Sequence, residues 1–329
     1  MKKVTVIGSG SWGTALAVML AENGHEVFIW SRRQDAVDEL LKERTNKKYL
    51  PGVVIPDSIQ ATTDRKEAVD GADIVILAVP SRAVAQTVRD FAPYLKTWQI
   101  LVNVAKGLEP ETLFLLSDVI KREAPQCEVC VLSGPSHAEE VARNIPTSLV
   151  AASKSLVTAQ IVQNIMSGDN LRVYTSDDLV GVELGGALKN VIAIAAGFCD
   201  GLGLGDNTKA ALITRGLAEM SRLGVCMGAK EYTFAGLTGI GDLVVTCTSR
   251  HSRNNRFGHK VGTGVPIEQA LKEVGTVEGY YAADMAHSLA KKYNIEMPII
   301  DECYAVLYEG KDVRNVTNDL MRRPNRSEH

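Results

Sequence analysis

A glycine pattern near the N-terminus constrains the fold of this chain more than any other feature. Gly8, Gly10 and Gly13 have the spacing G-x-G-x-x-G, in a segment that reads VTVIGSGSWGTALAVML and joins an apolar, strand-like run to a helical pattern. In such a turn the first glycine permits a tight bend, the second lets the backbone approach a pyrophosphate, and the third lets helix and strand pack closely. The segment therefore predicts a dinucleotide-binding turn, with a merely tight strand-to-helix turn as the alternative.

The first half of the chain alternates apolar runs with helical stretches. The runs are nearly continuous in apolar residues, as expected for parallel strands covered on both faces, and they read KVTVIG, HEVFIW, DIVILAVP, QILVNVAKG, EVCVLSGPS, TSLVAAS and LRVYTS. Helical periodicity then takes over, with helices expected at roughly 178–199, 207–223, 267–274, 279–292 and 298–308. We predict an α/β Rossmann domain with a doubly wound, mostly parallel sheet over residues 1–180, and an all-α domain over residues 181–329.

Composition and charge narrow the class of partner. The chain has 45% hydrophobic and 23% charged residues and a formal net charge of −3, values typical of a soluble globular protein. It has no basic excess for nucleic acid, and no run approaches the roughly 20 apolar residues that span a bilayer. We therefore expect a cytoplasmic protein with no nucleic-acid partner and no stable membrane insertion. The apolar helical half permits a homodimer.

The six cysteines do not form a metal-binding pattern. Cys127 and Cys130 make a single C-x-x-C inside a strand-like run, and no second pair completes a zinc site. We expect buried or incidental thiols and no bound metal.

The end of the second predicted strand indicates which dinucleotide the turn would hold. A site for NAD(H) usually places an acidic residue here, where it binds the ribose 2′-hydroxyl. This chain instead has Ser31, Arg32 and Arg33 in the segment WSRRQD, and two guanidinium groups suit a 2′-phosphate. We predict NADP(H) as the preferred cofactor and NAD(H) as a second one, with Asp35 as the residue that would weaken the preference. A solvated arginine pair is the other interpretation.

Three polar segments could supply the acid, base and oxyanion-stabilising groups that a hydride transfer needs. In NVAKGLE, Lys106 follows a predicted strand, and in SGPSHAEEVAR, Gly134, Ser136 and His137 follow the next strand. Each segment also has a purely structural interpretation: an exposed lysine, a helix cap formed by Ser136 with Glu139, or a basic surface loop. The third segment, GIGDLVVTCTSRHSRNNRFG in the helical half, carries Asp242, Ser252, Arg253, Asn254 and Arg256.

One lysine stands in an otherwise apolar helical run. In ELGGALKNVIAIAAGFCDG, residues 183–201, Lys189 and Asn190 are polar neighbours among aliphatic residues. Lysine is rarely buried unpaired, so the side chain either extends to water from the helix or has a function. Gly185 and Gly186 allow another backbone or a ligand to approach it. Burial lowers the pKa of a lysine towards neutrality, where the amine can exchange a proton.

Five of these motifs, in the same order, resemble the bacterial type of NAD(P)-dependent glycerol-3-phosphate dehydrogenase. They read GSGSWGTALA, VNVAKGLE, SGPSHAEEVA, ELGGALKNVIAIAAG and GIGDLVVTCTSRHSRN, and the resemblance covers nearly the whole chain. It implies the reversible, NAD(P)H-dependent reduction of dihydroxyacetone phosphate to sn-glycerol 3-phosphate, which supplies the backbone of glycerophospholipids. It also implies an N-terminal Rossmann domain and a C-terminal helical domain.

The resemblance assigns roles to individual residues. The catalytic residues would be Lys189, Lys106 and Asp242, with Lys189 as the base for alcohol oxidation and the proton donor for ketone reduction. The chain departs from the family pattern at Tyr280, where an aliphatic residue is more common. The substrate-binding residues would be Lys106, Gly134, Ser136, Lys189, Asp242, Ser252, Arg253 and Asn254. The cofactor-binding residues would be Gly8, Gly10, Ser11, Trp12, Gly13, Arg32, Arg33, Tyr49, Lys106, Ala138, Arg253, Val277 and Glu278.

Two other functions are compatible with part of this pattern. Another two-domain Rossmann dehydrogenase, of the type that acts on a β-hydroxy acid, also uses a lysine of its helical domain as acid or base. A nicotinamide-sensing protein would bind the cofactor without turnover. Such a sensor would have no need of Lys106, Lys189, Asp242 and Arg253 together.

Overall fold

The computed structural model of the protein describes residues 1–325 and 327–328. Its internal contacts divide the chain into two compact units, Met1–Glu183 and Leu184–His329. The strands of the described residues all lie in the first unit, and the second is helical. The predicted fold class, a Rossmann domain followed by an all-α domain, is therefore confirmed.

An eight-stranded sheet forms the centre of the first unit. Its strands are β1 (Lys3–Ile7), β2 (Glu26–Trp30), β3 (Gln60–Thr62), β4 (Ile74–Leu77), β5 (Ile100–Asn103), β6 (Glu128–Ser133), β7 (Thr147–Ala152) and β8 (Leu171–Ser176). Their order is β3-β2-β1-β4-β5-β6-β7-β8, and β6–β7 is the antiparallel pair in an otherwise parallel sheet. The strand order reverses between β1 and β4. In sheets of this kind, ligands bind at the carboxyl ends of the strands beside that reversal.

The strands are apolar throughout because both faces of the sheet are covered. On β4, Ile74 and Ile76 belong to one buried apolar cluster, whereas Val75 and Leu77 belong to another. Successive side chains of a strand point to opposite faces, so a continuous apolar run is required here. The short edge strand β3 was not predicted, since its sequence QAT is polar and half exposed.

Seven α-helices connect the strands of the first unit. The longest, α1, begins directly after the glycine-rich turn, and its residues from Gly13 to Leu20 are buried. The helices are α1 (Ser11–Glu22), α2 (Gln34–Asp38), α3 (Arg65–Val69), α4 (Val84–Phe91), α5 (Leu116–Glu123), α6 (Ala138–Val141) and α7 (Leu156–Met166).

The division between the units falls within the next helix, α8, and eight further α-helices follow it among the residues that the structure describes. The five predicted helices are present, but the short helices α10 to α12 and the terminal α16 were not predicted. The segment that forms α12 reads RNNRFGHKVG, which is polar and contains two glycines, so its helix propensity is low. The helices are α8 (Leu179–Gly201), α9 (Asp206–Cys226), α10 (Glu231–Phe234), α11 (Asp242–Thr248), α12 (Arg253–Gly262), α13 (Ile267–Val274), α14 (Glu278–Tyr293), α15 (Pro298–Tyr308) and α16 (Val313–Met321).

Glycines on α8 and α12 let these two helices approach closely. A side chain at Gly197 would meet the backbone of Asn255 and Gly258, and one at Gly201 would meet the backbone of Gly262. Each helix thus carries two glycines four residues apart, and these face each other on successive turns. The contact places the N-terminal end of α12 beside α8.

By length and composition alone, the helix α8 could cross a membrane. The expectation that no segment of the chain is long and apolar enough to do so is therefore wrong. However, 94% of its apolar window is buried inside the protein. The helix is therefore a core helix, and its apolar residues are accounted for by packing.

Two glutamates are buried and cap helix N-termini. Glu219 on α9 accepts hydrogen bonds from the backbone N–H groups of Ile299 (2.8 Å) and Ile300 (3.2 Å) at the start of α15. Glu183 accepts from the backbone N–H of Ser117 (3.0 Å) and from its hydroxyl, at the start of α5. Burial raises the pKa of each carboxyl to about 7, although these hydrogen bonds oppose the shift. Each carboxyl thus binds its proton more tightly in the folded protein than in the unfolded chain.

We expect the Glu183 and Glu219 carboxyls to lower the free energy of unfolding as pH rises from about 5 to about 8. The Glu219 carboxyl has a folded pKa of about 7, against an ordinary value of 4.5, so its contribution to stability is complete below pH 4.5 and is lost as the pH rises through 7. The substitution Glu219→Gln should remove up to about 3 kcal/mol of this pH dependence. Thermal unfolding across the pH range measures it, with the exposed Glu268→Gln as control. An unchanged pH slope in Glu219→Gln would contradict the assignment.

Candidate active site

The glycine-rich turn joins β1 to α1 where the strand order reverses. Gly8 has φ +117°, which L side chains rarely adopt, and a side chain there would run into the backbone of Ala78. At Gly13 a side chain would meet the carbonyl of Gly8, so glycine is needed for α1 to pack on the turn. At Gly10 a side chain would meet no atom within 4 Å. This open space at a helix N-terminus fits a phosphate group, because the helix dipole and the N–H groups favour an anion.

The two arginines at the end of β2 differ in their contacts. Arg33 Nη1 lies 3.3 Å from Asp35 Oδ2, in a pair that is exposed to solvent. Arg32 is exposed, and Ser31 beside it is buried, with its hydroxyl 3.0 Å from that of Ser9 in the glycine-rich turn. The carboxylate of Asp35 therefore offsets the positive charge of Arg33 rather than that of Arg32.

The other cofactor candidates of the first unit begin helices or lie on loops. Ser11 and Trp12 are the first residues of α1 and half-buried, and Trp12 packs against the apolar cluster beneath the helix. Ala138 begins α6 and is buried, whereas Tyr49 lies in a loop and is 42% exposed. The exposed ring of Tyr49 is available for contact with a ligand.

Lys106 lies beyond the carboxyl end of β5 and contacts the segment that follows β6. Its ammonium Nζ donates to the backbone oxygen of Gly134 (2.9 Å) and to Ser136 Oγ (3.0 Å). Three predicted substrate residues are thus in direct contact. The interpretation of Ser136 as a helix cap is wrong: the N-cap of α6 is His137, and the Ser136 hydroxyl donates to Gly134 O (2.9 Å) instead.

Lys189 in the second unit is buried and paired. Its side chain is 6% exposed and forms an ion pair with the carboxylate of Asp242, which is 1% exposed. Nζ also donates to Thr246 Oγ1 (2.6 Å), and this hydroxyl donates to the backbone oxygen of Asp242 (2.6 Å). The alternative that Lys189 extends to water is therefore wrong. The ammonium is held at a defined position by α11.

A glycine one turn before Lys189 on α8 explains this proximity. A side chain at Gly185 would run into the carbonyl of Thr238, in the π-helical turn Leu237–Gly241 that leads into α11. The predicted close approach of a second backbone to α8 is thus present. The approach brings Asp242, the first residue of α11, within reach of Lys189.

Asn190 links three helices of the second unit. Its Oδ1 accepts from Asn254 Nδ2 (2.8 Å), and Asn254 Oδ1 in turn accepts from the backbone N–H of Gly279 (2.9 Å). The chain of hydrogen bonds therefore runs from α8 through α12 to α14. Because the Asn254 amide holds this scaffold, we expect its backbone N–H rather than its side chain to meet a ligand.

The N-terminal end of α12 carries three of the residues predicted to bind substrate, Ser252, Arg253 and Asn254. Ser252 is the N-cap, and its hydroxyl accepts from the backbone N–H of Asn255 (3.2 Å). Ser252 and Asn254 are buried, whereas Arg253 is exposed. A helix N-terminus with an adjacent arginine is an arrangement that suits a phosphate group.

The segment around Glu278 begins α14. Val277 is its buried N-cap and Glu278 its first residue. Tyr280, the departure from the family pattern, packs edge-on against Phe257 of α12, and its backbone oxygen accepts from the hydroxyl of Tyr308 (2.7 Å). Tyr280 on α14 thus packs against α12 and is contacted by α15.

Thr246 was missed by sequence reasoning. It stands four residues after Asp242, so the two side chains share one face of α11 and meet the same ammonium group. Recognising TGIGDLVVTCT as a helix would have revealed the pairing.

Five of the six cysteines are buried, and Cys226 is exposed. Burial raises the pKa of Cys127 to about 11 and that of Cys130 to about 12, so both thiols stay protonated near neutral pH. Among the residues that the structure describes, no group of three or more His, Cys, Asp or Glu side chains is arranged to hold a metal ion.

A glycine-rich turn at the switch point of a mostly parallel sheet, followed by a helical unit with a buried lysine–aspartate pair, is the arrangement of a two-domain dehydrogenase that uses a nicotinamide cofactor. The N-terminal and C-terminal domains of the NAD-dependent glycerol-3-phosphate dehydrogenase family match residues 3–159 and 178–318. The chain belongs to this family.

Individual relatives are similar over their full length. The chain is 52% identical to glycerol-3-phosphate dehydrogenase (NAD(P)+) of Agathobacter rectalis, covering 100% of this chain and 98% of that protein. It is 50% identical to the Bacillus subtilis protein of the same name, covering 98% and 95%. The crystal structure of glycerol-3-phosphate dehydrogenase from Coxiella burnetii matches with a TM-score of 0.94 at 41% identity, covering 98% of this chain and 99% of that one.

Proposed function

We propose that this protein reduces dihydroxyacetone phosphate to sn-glycerol 3-phosphate with NAD(P)H, reversibly, and so supplies the backbone of glycerophospholipids. The observation that carries the proposal is the buried contact of Lys189 with Asp242 and Thr246. The chain that contains it is 50–52% identical in sequence to two proteins named glycerol-3-phosphate dehydrogenase (NAD(P)+). The unit Met1–Glu183 would bind the cofactor, and the unit that begins at Leu184 would bind substrate and transfer the proton.

The first unit supplies the cofactor site in this proposal. The open space at Gly10 accepts the pyrophosphate at the N-terminus of α1, and Arg32 with Arg33 binds a 2′-phosphate, which favours NADP(H). When bound, the nicotinamide supplies the hydride for the carbonyl carbon of the substrate. The remaining cofactor contacts would come from Ser11, Trp12, Tyr49, Lys106, Ala138, Arg253, Val277 and Glu278.

Lys189 transfers the proton that accompanies the hydride. The carboxylate of Asp242 favours the charged ammonium form of Lys189, which is the form that can donate. During ketone reduction the carbonyl oxygen gains negative charge, and the ammonium stabilises it and gives it a proton. In alcohol oxidation the neutral amine takes the hydroxyl proton back. Thr246 and Asp242 keep Nζ in place throughout.

Two further groups position the substrate. Lys106, held by Gly134 O and Ser136 Oγ, provides a second ammonium for the developing oxyanion and a contact to the cofactor. The start of α12, with Ser252, Arg253 and the backbone of Asn254, binds the phosphate group.

The proposal includes a cytoplasmic homodimer. What supports the location is that all six cysteines are free thiols, as is usual in a reducing compartment. What supports the dimer is a set of exposed apolar side chains on the second unit, including Val225, Tyr232 and Val244.

A spectrophotometric assay tests substrate and cofactor together. We expect rapid oxidation of NADPH with dihydroxyacetone phosphate, and a lower KM for NADPH than for NADH. Turnover of β-keto acids but not of dihydroxyacetone phosphate would instead support a β-hydroxy acid dehydrogenase. Dinucleotide binding without any turnover would support a nicotinamide sensor. Equal KM values for the two cofactors would refute the NADP(H) preference.

The substitution Lys189→Ala should lower kcat by about 10²- to 10⁴-fold, because it removes the proton donor and one oxyanion-stabilising charge. The Kd for NADPH should stay nearly unchanged. Lys311→Ala is the control, since Lys311 also pairs with two carboxylates of the same unit, Glu302 and Asp319. Near-normal turnover in Lys189→Ala would refute its role.

The substitution Arg32→Gln should raise the KM for NADPH by about tenfold or more and leave the KM for NADH nearly unchanged. A charge-assisted hydrogen bond to the 2′-phosphate would be lost, and NADH has no such phosphate. Arg33→Gln should have the smaller effect on the KM for NADPH, because the charge of Arg33 is already offset by the carboxylate of Asp35. Arg172→Gln, at an exposed position on the edge strand β8, is the control. Equal effects on both cofactors would contradict 2′-phosphate binding.

A further inference from the structure

Asn46 is a buried asparagine between segments that would hold the cofactor. It follows the π-helical turn Glu39–Glu43 and is 5% exposed. Its Nδ2 donates to the backbone oxygen of Ser9 (3.0 Å) and to Thr14 Oγ1 (2.8 Å), and its Oδ1 accepts from the backbone N–H of Tyr49 (3.3 Å). One amide group therefore joins the glycine-rich turn, the first turns of α1 and the loop that carries Tyr49.

The partners of Asn46 require an amide. The carbonyl of Ser9 can only accept a hydrogen bond and the N–H of Tyr49 can only donate one, so the side chain needs a donor and an acceptor on one planar group. An aspartate would place a carboxylate oxygen against the Ser9 oxygen, and a leucine of similar size would satisfy neither partner. A buried polar group without a partner is destabilising.

The hydrogen bond to Ser9 determines where the next N–H points. In a trans peptide the C=O and N–H groups point in opposite directions. Holding the Ser9 oxygen towards Asn46 therefore directs the Gly10 N–H to the other side of the peptide. Gly10 is the N-cap of α1, next to the open space that suits a phosphate group.

The segment that carries Asn46 is itself anchored. Glu39 Oε1 accepts from the backbone N–H of Lys47 (2.7 Å), and the Arg44 guanidinium donates to the backbone oxygen of Ile59 (3.1 Å). The backbone N–H of Leu50 donates to the backbone oxygen of Asn46 (2.9 Å) and closes the loop. The position of Asn46 is thus fixed by contacts of its own segment. Its amide can therefore determine the orientation of the Ser9–Gly10 peptide.

We propose that Asn46 is a positioning residue for the cofactor pyrophosphate. Its amide holds the Ser9–Gly10 peptide so that the Gly10 N–H is presented to a phosphate oxygen. Through Oδ1 it also keeps the Tyr49 loop in register with that turn. The inference rests on the proposed function only in that the chain binds a nicotinamide dinucleotide. The identity of the substrate does not enter it.

Gln99 provides a matched control in the same unit. It is fully buried, its Nε2 donates to the backbone oxygens of Val69 (2.7 Å) and Ala72 (3.0 Å), and its Oε1 accepts from the backbone N–H of Lys96 (2.8 Å). Its amide thus has the same kind of partners as that of Asn46, but none of them belongs to the glycine-rich turn. Replacing either amide by an apolar side chain of similar size removes the same chemistry.

The experiment compares Asn46→Leu with Gln99→Met in the full-length protein. Calorimetric titration measures Kd for NADPH, or for NADH where wild type binds NADH more tightly, and thermal unfolding measures stability. Ligand-observed NMR measures the affinity of adenosine 2′-monophosphate, which lacks the pyrophosphate. Asn46→Ser, which keeps one hydroxyl donor, is the second variant and serves where Asn46→Leu does not fold.

We expect Asn46→Leu to raise the dinucleotide Kd by about tenfold, with a smaller rise in Asn46→Ser and no change in Gln99→Met. The affinity for adenosine 2′-monophosphate should stay the same in all variants. A dinucleotide Kd within about twofold of wild type in Asn46→Leu overturns the inference, and so does the same result in Asn46→Ser where Asn46→Leu does not fold. So does an equal loss in Gln99→Met, or an equal loss for the fragment.

These outcomes separate the inference from the proposed function. If wild type binds a dinucleotide but does not reduce dihydroxyacetone phosphate, the proposed function fails and the Kd comparison still decides the role of Asn46. If wild type binds neither NADPH nor NADH, both are overturned.

Discussion

The buried ion pair between Lys189 and Asp242 is the contact on which the helical unit depends. An ammonium group without a partner is very unfavourable in an apolar core, so α8 can contain Lys189 only if a carboxylate lies against it. That proximity needs the backbone at Thr238 to approach α8, which the absence of a side chain at Gly185 permits. A glycine of low helix propensity is thus retained where close packing compensates for it.

The two adjacent polar residues of α8, Lys189 and Asn190, contact different helices. Successive residues of an α-helix differ by about 100° in direction, so Lys189 faces α11 and Asn190 faces Asn254 on α12. Further along α8, Gly197 and Gly201 let α12 pack against it. The position of the α12 N-terminus, where phosphate binding is proposed, therefore follows from glycines and an amide on a single core helix.

Features that depend on local sequence were predictable. The strands of the first unit are apolar because both faces of the sheet are covered. Gly8 and Gly13 of the turn have the predicted roles, since backbone conformation and close approach are local constraints. Strand β3 was missed because its pairing with β2 comes from the sheet edge rather than from its own polar residues. Helix α12 was missed because helix–helix packing outweighs its low propensity.

The sequence by itself determined the fold class, the glycine-rich turn and the presence of one lysine in an apolar helix. These follow from periodicity, glycine spacing and the physical chemistry of single side chains. Only the tertiary structure decided that Lys189 is paired, that Thr246 shares its ammonium, and that the Asn46 amide holds the Ser9 carbonyl. Each of these contacts joins residues far apart in the chain, and hydrogen-bond partners at such separations are selected by packing, which no local pattern encodes.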